Sequence, residues 1–461
     1  MMKKWRFGLL MVAAFVMLML AGCTNSDPDA APEADADTGT QEVGEQQEAA
    51  VNEEGKVEIE FWHAMSGGGQ ESLDAIAQGF NESQDKYVVN PEFQGTYEEL
   101  LTKLRSIGGT KDAPALMQVF EIGTKYMIDS GYIEPVQKFI DEDSYDISQL
   151  EENILNYYMV DGELYSMPFN SSTPVLLYNK DAFREAGLDP EKAPETFADV
   201  IAASSKLKTD EMYGFSMLTY GWFFEELLAT QGGLYVNEEN GRAGNATEAV
   251  FNGPEGLNVF RFLDTMNKEG TFGNFGTNWD DIRAAFSSGK VAMYMDSSAG
   301  VANAIESSPF EVGAAYIPHA DEVKRHGVII GGASLWMSKG IADEEQQAAW
   351  EFMKYLTTPE VQAKWHLDTG YFAINPAAYE EDIVKEKWAE YPQFQVTVDQ
   401  LQDTEPSVAT QGALISVFPE SRQQIVTALE NLYQGADPQQ VLDEAVEGTN
   451  RAIEIANQTS Q

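Results

Sequence analysis

From Val57 the chain alternates apolar and polar positions, with Val57, Ile59 and Phe61 set against Glu58 and Glu60. A period of two predicts a half-buried strand. A turn, Ser66-Gly67-Gly68-Gly69, leads into Leu73, Ile76, Ala77 and Phe80, which recur at helical spacing. A second strand is predicted near Tyr87–Phe93. Thr96 and Glu99, three apart, then form a capping-box pattern ahead of Leu100, Leu101 and Leu104. Ala115–Phe120 is an apolar run, polar only at Gln118, suited to a buried parallel strand, with helices expected over Gly123–Ser130 and Ala302–Glu306. This strand–helix alternation predicts an α/β body. The end of the chain differs: Ile425–Tyr433, the turn Gly435-Ala436-Asp437-Pro438, and Val441, Leu442, Ala445 and Val446 describe two helices joined by a capped turn. No internal repeat appears.

Ahead of this body, Lys3, Lys4 and Arg6 precede an apolar run, Phe7–Leu20, that ends in Leu20-Ala21-Gly22-Cys23. The run is shorter than the roughly 18 to 20 residues that span a bilayer, and small residues before a cysteine suit cleavage. Residues 1–22 therefore read as a lipoprotein signal peptide. Cys23, the single cysteine, is the lipidation site. The alternative is an ordinary secretory signal that contains a cysteine. Residues 23–56 are acidic and lack aromatics, so they cannot bury a core and read as a tether reaching about 30 Å. The expected location is the extracytoplasmic face of the cell membrane, held by the lipid anchor.

The remainder is long enough for two or three domains, and its composition, 43% hydrophobic and 11% aromatic, is that of a globular protein. The formal charge of -46 leaves -40 on the body once residues 1–56 are set aside, which argues against nucleic acid as a partner. One cysteine and four scattered histidines (His63, His319, His326, His366) give zinc sites and nucleophilic triads little to build on. Gly67–Gly69 lacks the residues of a phosphate-cradling loop. Carboxylates are too numerous for a glycosidase pair to stand out. Trp62, Tyr220, Trp222 and Trp336 have faces on which a sugar-like ligand can stack, although core packing accounts for each individually.

Longer segments add more. Phe61-Trp62-His63, Gln94 to Glu98, Gln118 to Thr124, Pro168 to Phe183, Ile330 to Trp336, and Trp365-His366 with Thr369-Gly370-Tyr371 together resemble the glycerol-3-phosphate-binding subunits of bacterial ABC importers, within the type 1 extracellular solute-binding proteins. The resemblance runs nearly from Val57 to the end. It implies a two-lobed periplasmic-binding-protein-like fold of the maltose-binding type (type II), with the ligand cleft between the lobes. On that basis residues 57–171 plus 298–332 are expected to form the N-terminal lobe, and 172–297 plus 333–457 the C-terminal lobe. The implied ligand is sn-glycerol 3-phosphate or a glycerophosphodiester, delivered to the transmembrane permease subunits by a monomer without chemistry or cofactor. A neutral-oligosaccharide receptor is the alternative within the class.

The resemblance places ligand contacts at Tyr97, Glu121, Ser172, Ser297, Gly332, Tyr371 and Arg422. The chemistry of these residues suits that role. Arg422 offers a planar fork for two phosphate oxygens and is the expected main charge partner. Ser297 offers a hydroxyl near a helix start, and equally reads as an N-cap. Gly332 allows close backbone approach, as any turn glycine does. Tyr97 and Tyr371 can donate phenol hydrogens or simply pack. Ser172 lies in an expected inter-lobe crossing. Glu121 would repel a phosphate, so it is expected to hold glycerol hydroxyls at the opposite end. At Phe197 the family carries tryptophan, and the smaller ring is expected to leave room for a larger head group.

Overall fold

The computed structural model describes residues 49–459, so the signal peptide, Cys23 and most of the tether lie outside the described residues. Of the expected tether, the last residues are built into the fold. Ala50 accepts from the Glu58 N–H, and Asn52 to Lys56 close a turn in which Asn52 Oδ1 receives the N–H groups of Glu54 and Lys56. The short asparagine side chain substitutes for backbone partners, so ordered structure begins before Val57.

Among the described residues twelve strands follow in order: β1 (Val57–His63), β2 (Tyr87–Phe93), β3 (Leu116–Phe120), β4 (Ile133–Glu134), β5 (Met159–Val160), β6 (Glu163–Leu164), β7 (Met167–Ser172), β8 (Pro174–Asn179), β9 (Tyr213–Met217), β10 (Val291–Ser297), β11 (Val312–Ala315) and β12 (Gly331–Ser338). One sheet runs β2-β1-β3-β12-β4, with β7 also paired to β12; a second runs β11-β8-β10-β9, and β5 and β6 form a small hairpin. β1 lies parallel to β2 and β3, whereas β12 is antiparallel to β3, β4 and β7. In the second sheet β10 is parallel to β9 and antiparallel to β8.

The patterning explains these elements. In β1, Ile59, Phe61 and His63 are buried and Glu60 is exposed, while all five residues of β3 are buried, as befits an inner strand. The Thr96 capping box forms on helix Tyr97–Ile107. The expected turn at Gly67–Gly69 is instead the first turn of helix Gly67–Ser83, with Ser66 extended at its N-cap. Glycines at a helix start have no side chain to clash, and their early N–H groups need no intrahelical partner.

The two sheets define the two lobes, and the buried apolar residues fall into two clusters, of which the second also takes in Met117, Val119 and Trp336 of the first sheet. Ile59, Phe61, Leu73, Trp350 and Trp365 belong to the first core, and Phe215, Phe223, Phe260, Met293 and Leu429 to the second. The expected lobe boundaries need correction. Residues 298–332 were assigned to the first lobe, yet β11 within them pairs with β8 in the second sheet. Residues 333–457 were assigned to the second, yet β12 pairs with β3, and helix Asp343–Leu356 packs on β1. Ser297-Ser298 is therefore not a crossing. The chain crosses at Thr173, between β11 and β12, and again after helix Asp382–Glu390, since the next helix, Gln393–Gln402, packs on β11. Strand order across the sheets decides this, and linear patterning does not carry it.

Candidate functional site

Between the lobes lies a cleft of about 1240 Å³. It opens at the carboxyl ends of β3, β7 and β10, where ligands of open α/β sheets generally bind. Tyr97, Glu121, Ser172, Ser297, Gly332, Tyr371 and Arg422 all line it. Loop and strand-end positions bring them there: Tyr97 opens helix Tyr97–Ile107, Glu121 follows β3, Ser172 ends β7, Ser297 ends β10, and Tyr371 follows helix Pro359–Thr369.

Two phenols form one wall. The Tyr97 ring stacks on Phe120 at 5.4 Å, and its hydroxyl accepts from Asn170 Nδ2 at 2.7 Å; Asn170 Oδ1 in turn accepts from Gln118 Nε2 at 2.6 Å. The Tyr371 ring stacks on Trp365 at 5.8 Å. Its carbonyl accepts from His366 Nδ1 at 2.7 Å, while Trp388 Nε1 donates to His366 Nε2 at 3.2 Å, so His366 is neutral with its proton on Nδ1. Burial pushes that imidazole down to about 4. Burial also raises both tyrosines above their ordinary range, keeping them protonated donors.

Arg422 enters the cleft from the early turns of helix Phe418–Tyr433. Its Nε and Nη2 grip Glu225 at 2.8 and 2.7 Å, Nη2 also reaches Glu121 at 2.8 Å, and Nη1 donates to the Tyr220 hydroxyl at 3.0 Å. Burial raises the carboxyls of Glu121 and Glu225, and the neighbouring guanidinium acts against it. Two expectations fall here. Arg422 presents no open fork, and Glu121 stands beside it, so the two cannot occupy opposite ends of a ligand.

The crossing at Gly331-Gly332 is held tightly. Gly332 has φ +97°, and a Cβ there would lie 1.8 Å from the Asn170 carbonyl oxygen; at Gly331 it would lie 2.7 Å from the Trp222 ring. Only glycine fits a left-handed residue with backbone this close. Ser297 is both things the sequence suggested: its Oγ accepts from the Ala299 N–H at 3.2 Å as an N-cap, and it lines the cleft. Beneath it, Asp296 accepts from Arg283 Nε and Nη2 at 3.0 and 2.9 Å, from the Tyr294 hydroxyl at 2.8 Å and from the Ser297 N–H at 2.7 Å.

Phe197 does not reach the cleft. It is buried in the second core, stacked on Phe262 at 4.5 Å, because the Thr196 capping box turns the first residue of helix Phe197–Leu207 inward. Its smaller ring therefore opens no room for a larger head group. Among the aromatics considered as platforms, Tyr220 and Trp222 line the cleft, whereas Trp336 is core. Asn170, Glu225, Trp279 and Arg283 were not singled out. Glu225 carried a signal, being one of two consecutive acids in the otherwise apolar segment Gly221–Ala229; Asn170 sits inside the Pro168–Phe183 segment without distinguishing chemistry. Among the described residues no group of three His, Cys, Asp or Glu side chains is placed to hold a metal ion.

Two lobes joined by crossings, with a donor-lined cleft between them, define a ligand-capturing protein of the two-lobed binding class. Residues 75–396 match the bacterial extracellular solute-binding protein family, and the chain belongs to that family. It is similar to the sn-glycerol-3-phosphate-binding periplasmic protein UgpB of Escherichia coli O6:K15:H31, 36% identical over 414 residues that cover 87% of this chain and 94% of that one. Its fold is similar to that of UgpB from Mycobacterium tuberculosis, solved in complex with glycerophosphocholine (21% identity, TM-score 0.75, 87% of this chain and 100% of that one). It is also similar to that of the cyclic alpha-maltosyl-1,6-maltose binding protein from Arthrobacter globiformis (22% identity, TM-score 0.72, 87% and 99%).

Proposed function

We propose that this protein is the substrate-binding component of an ABC importer, capturing sn-glycerol 3-phosphate or a glycerophosphodiester and handing it to the transmembrane permease subunits. The observation that carries the reading is the convergence of Tyr97, Ser172, Ser297, Gly332 and Tyr371 with the Glu121–Arg422 pair around one cleft. The relative that is 36% identical supports the ligand class.

Charge orders the ligand within the cleft. Glu121 and Glu225 repel a phosphate, so the phosphate belongs with the neutral donors: the Tyr97 and Tyr371 phenols, the Ser172 and Ser297 hydroxyls, and the backbone at Gly332. Glycerol hydroxyls then exchange hydrogen bonds with Glu121 and Arg422, since a hydroxyl both donates and accepts. Arg422 acts at the glycerol end rather than as the phosphate fork. Closing of the lobes around the ligand creates the surface presented to the permease. The protein acts as a monomer, performs no chemistry, and is tethered to the outer face of the cell membrane through lipid on Cys23, which follows Leu20-Ala21-Gly22.

Calorimetric titration with sn-glycerol 3-phosphate, glycerophosphocholine and maltose, with products assayed in the same cell, tests the reading. Binding of either glycerol phosphate without turnover is expected. Binding of maltose alone would assign the cleft to neutral sugars, and product formation would make the protein an enzyme.

A further inference from the structure

The cleft walls carry six carboxylates, Glu98, Glu121, Asp280, Glu306, Asp368 and Glu430, against three cations, Arg283, Lys387 and Arg422. Neither guanidinium is unpaired. Arg422 is shared between Glu121 and Glu225, so that inner group carries a formal charge of -1 when both acids are ionised. Arg283 is neutralised by the buried Asp296 and lies over the Trp279 ring at 5.0 Å. Lys387, the third cation of the lining, is held over aromatic faces rather than by a carboxylate, with its ammonium 4.5 Å from the Tyr391 ring and 5.7 Å from the Phe394 ring. Among the converging residues Tyr97, Ser172, Ser297, Gly332 and Tyr371, the groups left to meet a phosphate are uncharged phenols, hydroxyls and backbone.

Such dipoles hold one negative charge well, because each donor answers one lone pair. A second charge gains no free guanidinium, since both are held by carboxylates, and adds repulsion from the Glu121–Glu225 group. Resting on the glycerol-phosphate reading above, we infer that this cleft selects phosphate in its singly charged form: a phosphodiester, or the monoanion of a monoester, over the doubly charged monoester.

The chemistry of the two ligand classes makes this testable. A diester has one ionisable phosphate oxygen and stays at -1 between pH 5.5 and 7.5, whereas a monoester loses its second proton near pH 6. The monoanion is then about three-quarters of the monoester at pH 5.5 and about 3% of it at pH 7.5. If the monoanion alone binds, the apparent Kd of the monoester rises about 25-fold across that interval, in inverse proportion to the competent fraction.

The purified protein is titrated by calorimetry with sn-glycerol 3-phosphate and with its phosphate methyl ester at both pH values and low salt. Protonation of Glu121, Glu225 or any other protein group acts equally on the diester and on the monoester monoanion, both at -1, so for monoanion binding the ratio of the dissociation constants follows the ionisation of the phosphate. The expected result is a ratio, monoester over methyl ester, that rises with pH by up to about 25-fold. A ratio that stays constant or falls overturns the inference. Binding of neither ligand at either pH withdraws the glycerol-phosphate reading on which it rests.

Discussion

Replacing Arg422 with methionine removes the charge from a group in which all partners are nearly inaccessible: the arginine side chain is 4% exposed, Glu121 7% and Glu225 5%. Breaking a buried pair by deleting one member typically costs about 3–5 kcal/mol, because the remaining charge stays buried without compensation. Here two carboxylates are stranded and a bidentate contact is lost, which puts the cost of Arg422→Met at the upper end, about 4–5 kcal/mol at pH 7.5. Protonation limits the loss. Burial already raises both carboxyls above their ordinary value, and Arg422 opposes that rise, so its removal raises them further. A carboxyl with a raised folded pKa contributes stability that is fully present below its unfolded value, near 4.5, and is lost as pH climbs through the folded value. Arg422→Met should therefore recover toward wild type on acidification. The assay is urea unfolding at pH 7.5 and 5.0, with Arg105→Met as control, since the Arg105–Glu420 pair is exposed and is worth about 1 kcal/mol or less. A wild-type midpoint for Arg422→Met at pH 7.5, or a deficit that fails to shrink at pH 5.0, would refute the argument.

Gly332→Ala forces a Cβ to within 1.8 Å of the Asn170 carbonyl at φ +97°, so the crossing must move; binding by calorimetry should weaken by about 5- to 150-fold, from about 1–3 kcal/mol of backbone strain. Phe197→Trp enlarges a packed core residue and should cost about 1–3 kcal/mol in urea unfolding while leaving relative affinities for phosphate mono- and diesters unchanged. A shifted preference would return Phe197 to the site. His366 is held at about 4 when folded against 6.5 when unfolded, so its contribution is complete above pH 6.5 and is lost as pH falls toward 4. That loss amounts to about 3 kcal/mol, and His366→Asn should flatten this acidic limb of the stability profile relative to wild type.

Much of the fold was legible because period and capping are local. The alternation of β1, the apolar run of β3 and the Thr96 box each needs only its own neighbours, and each element forms where the pattern puts it. Lobe membership was not legible. β11 and β12 lie only 15 residues apart in the chain yet enter different sheets, a choice made by strand partners distant in sequence. At the cleft, resemblance collected seven positions, but the open fork expected of Arg422 is absent because Glu225, the acid that occupies it, sits 197 residues away in an apolar helix. Phe197 failed for a simpler reason: a ring on the first turn of a helix can face either way, and the cap and Phe262 decide which.

A crystal structure of the protein with sn-glycerol 3-phosphate bound would read both ends of the ligand at once. The phosphate should lie against Tyr97, Ser172, Ser297, Gly332 and Tyr371, with the glycerol hydroxyls on Glu121 and Arg422. A phosphate seated on Arg422, or a ligand found outside this cleft, would contradict the proposed capture mechanism.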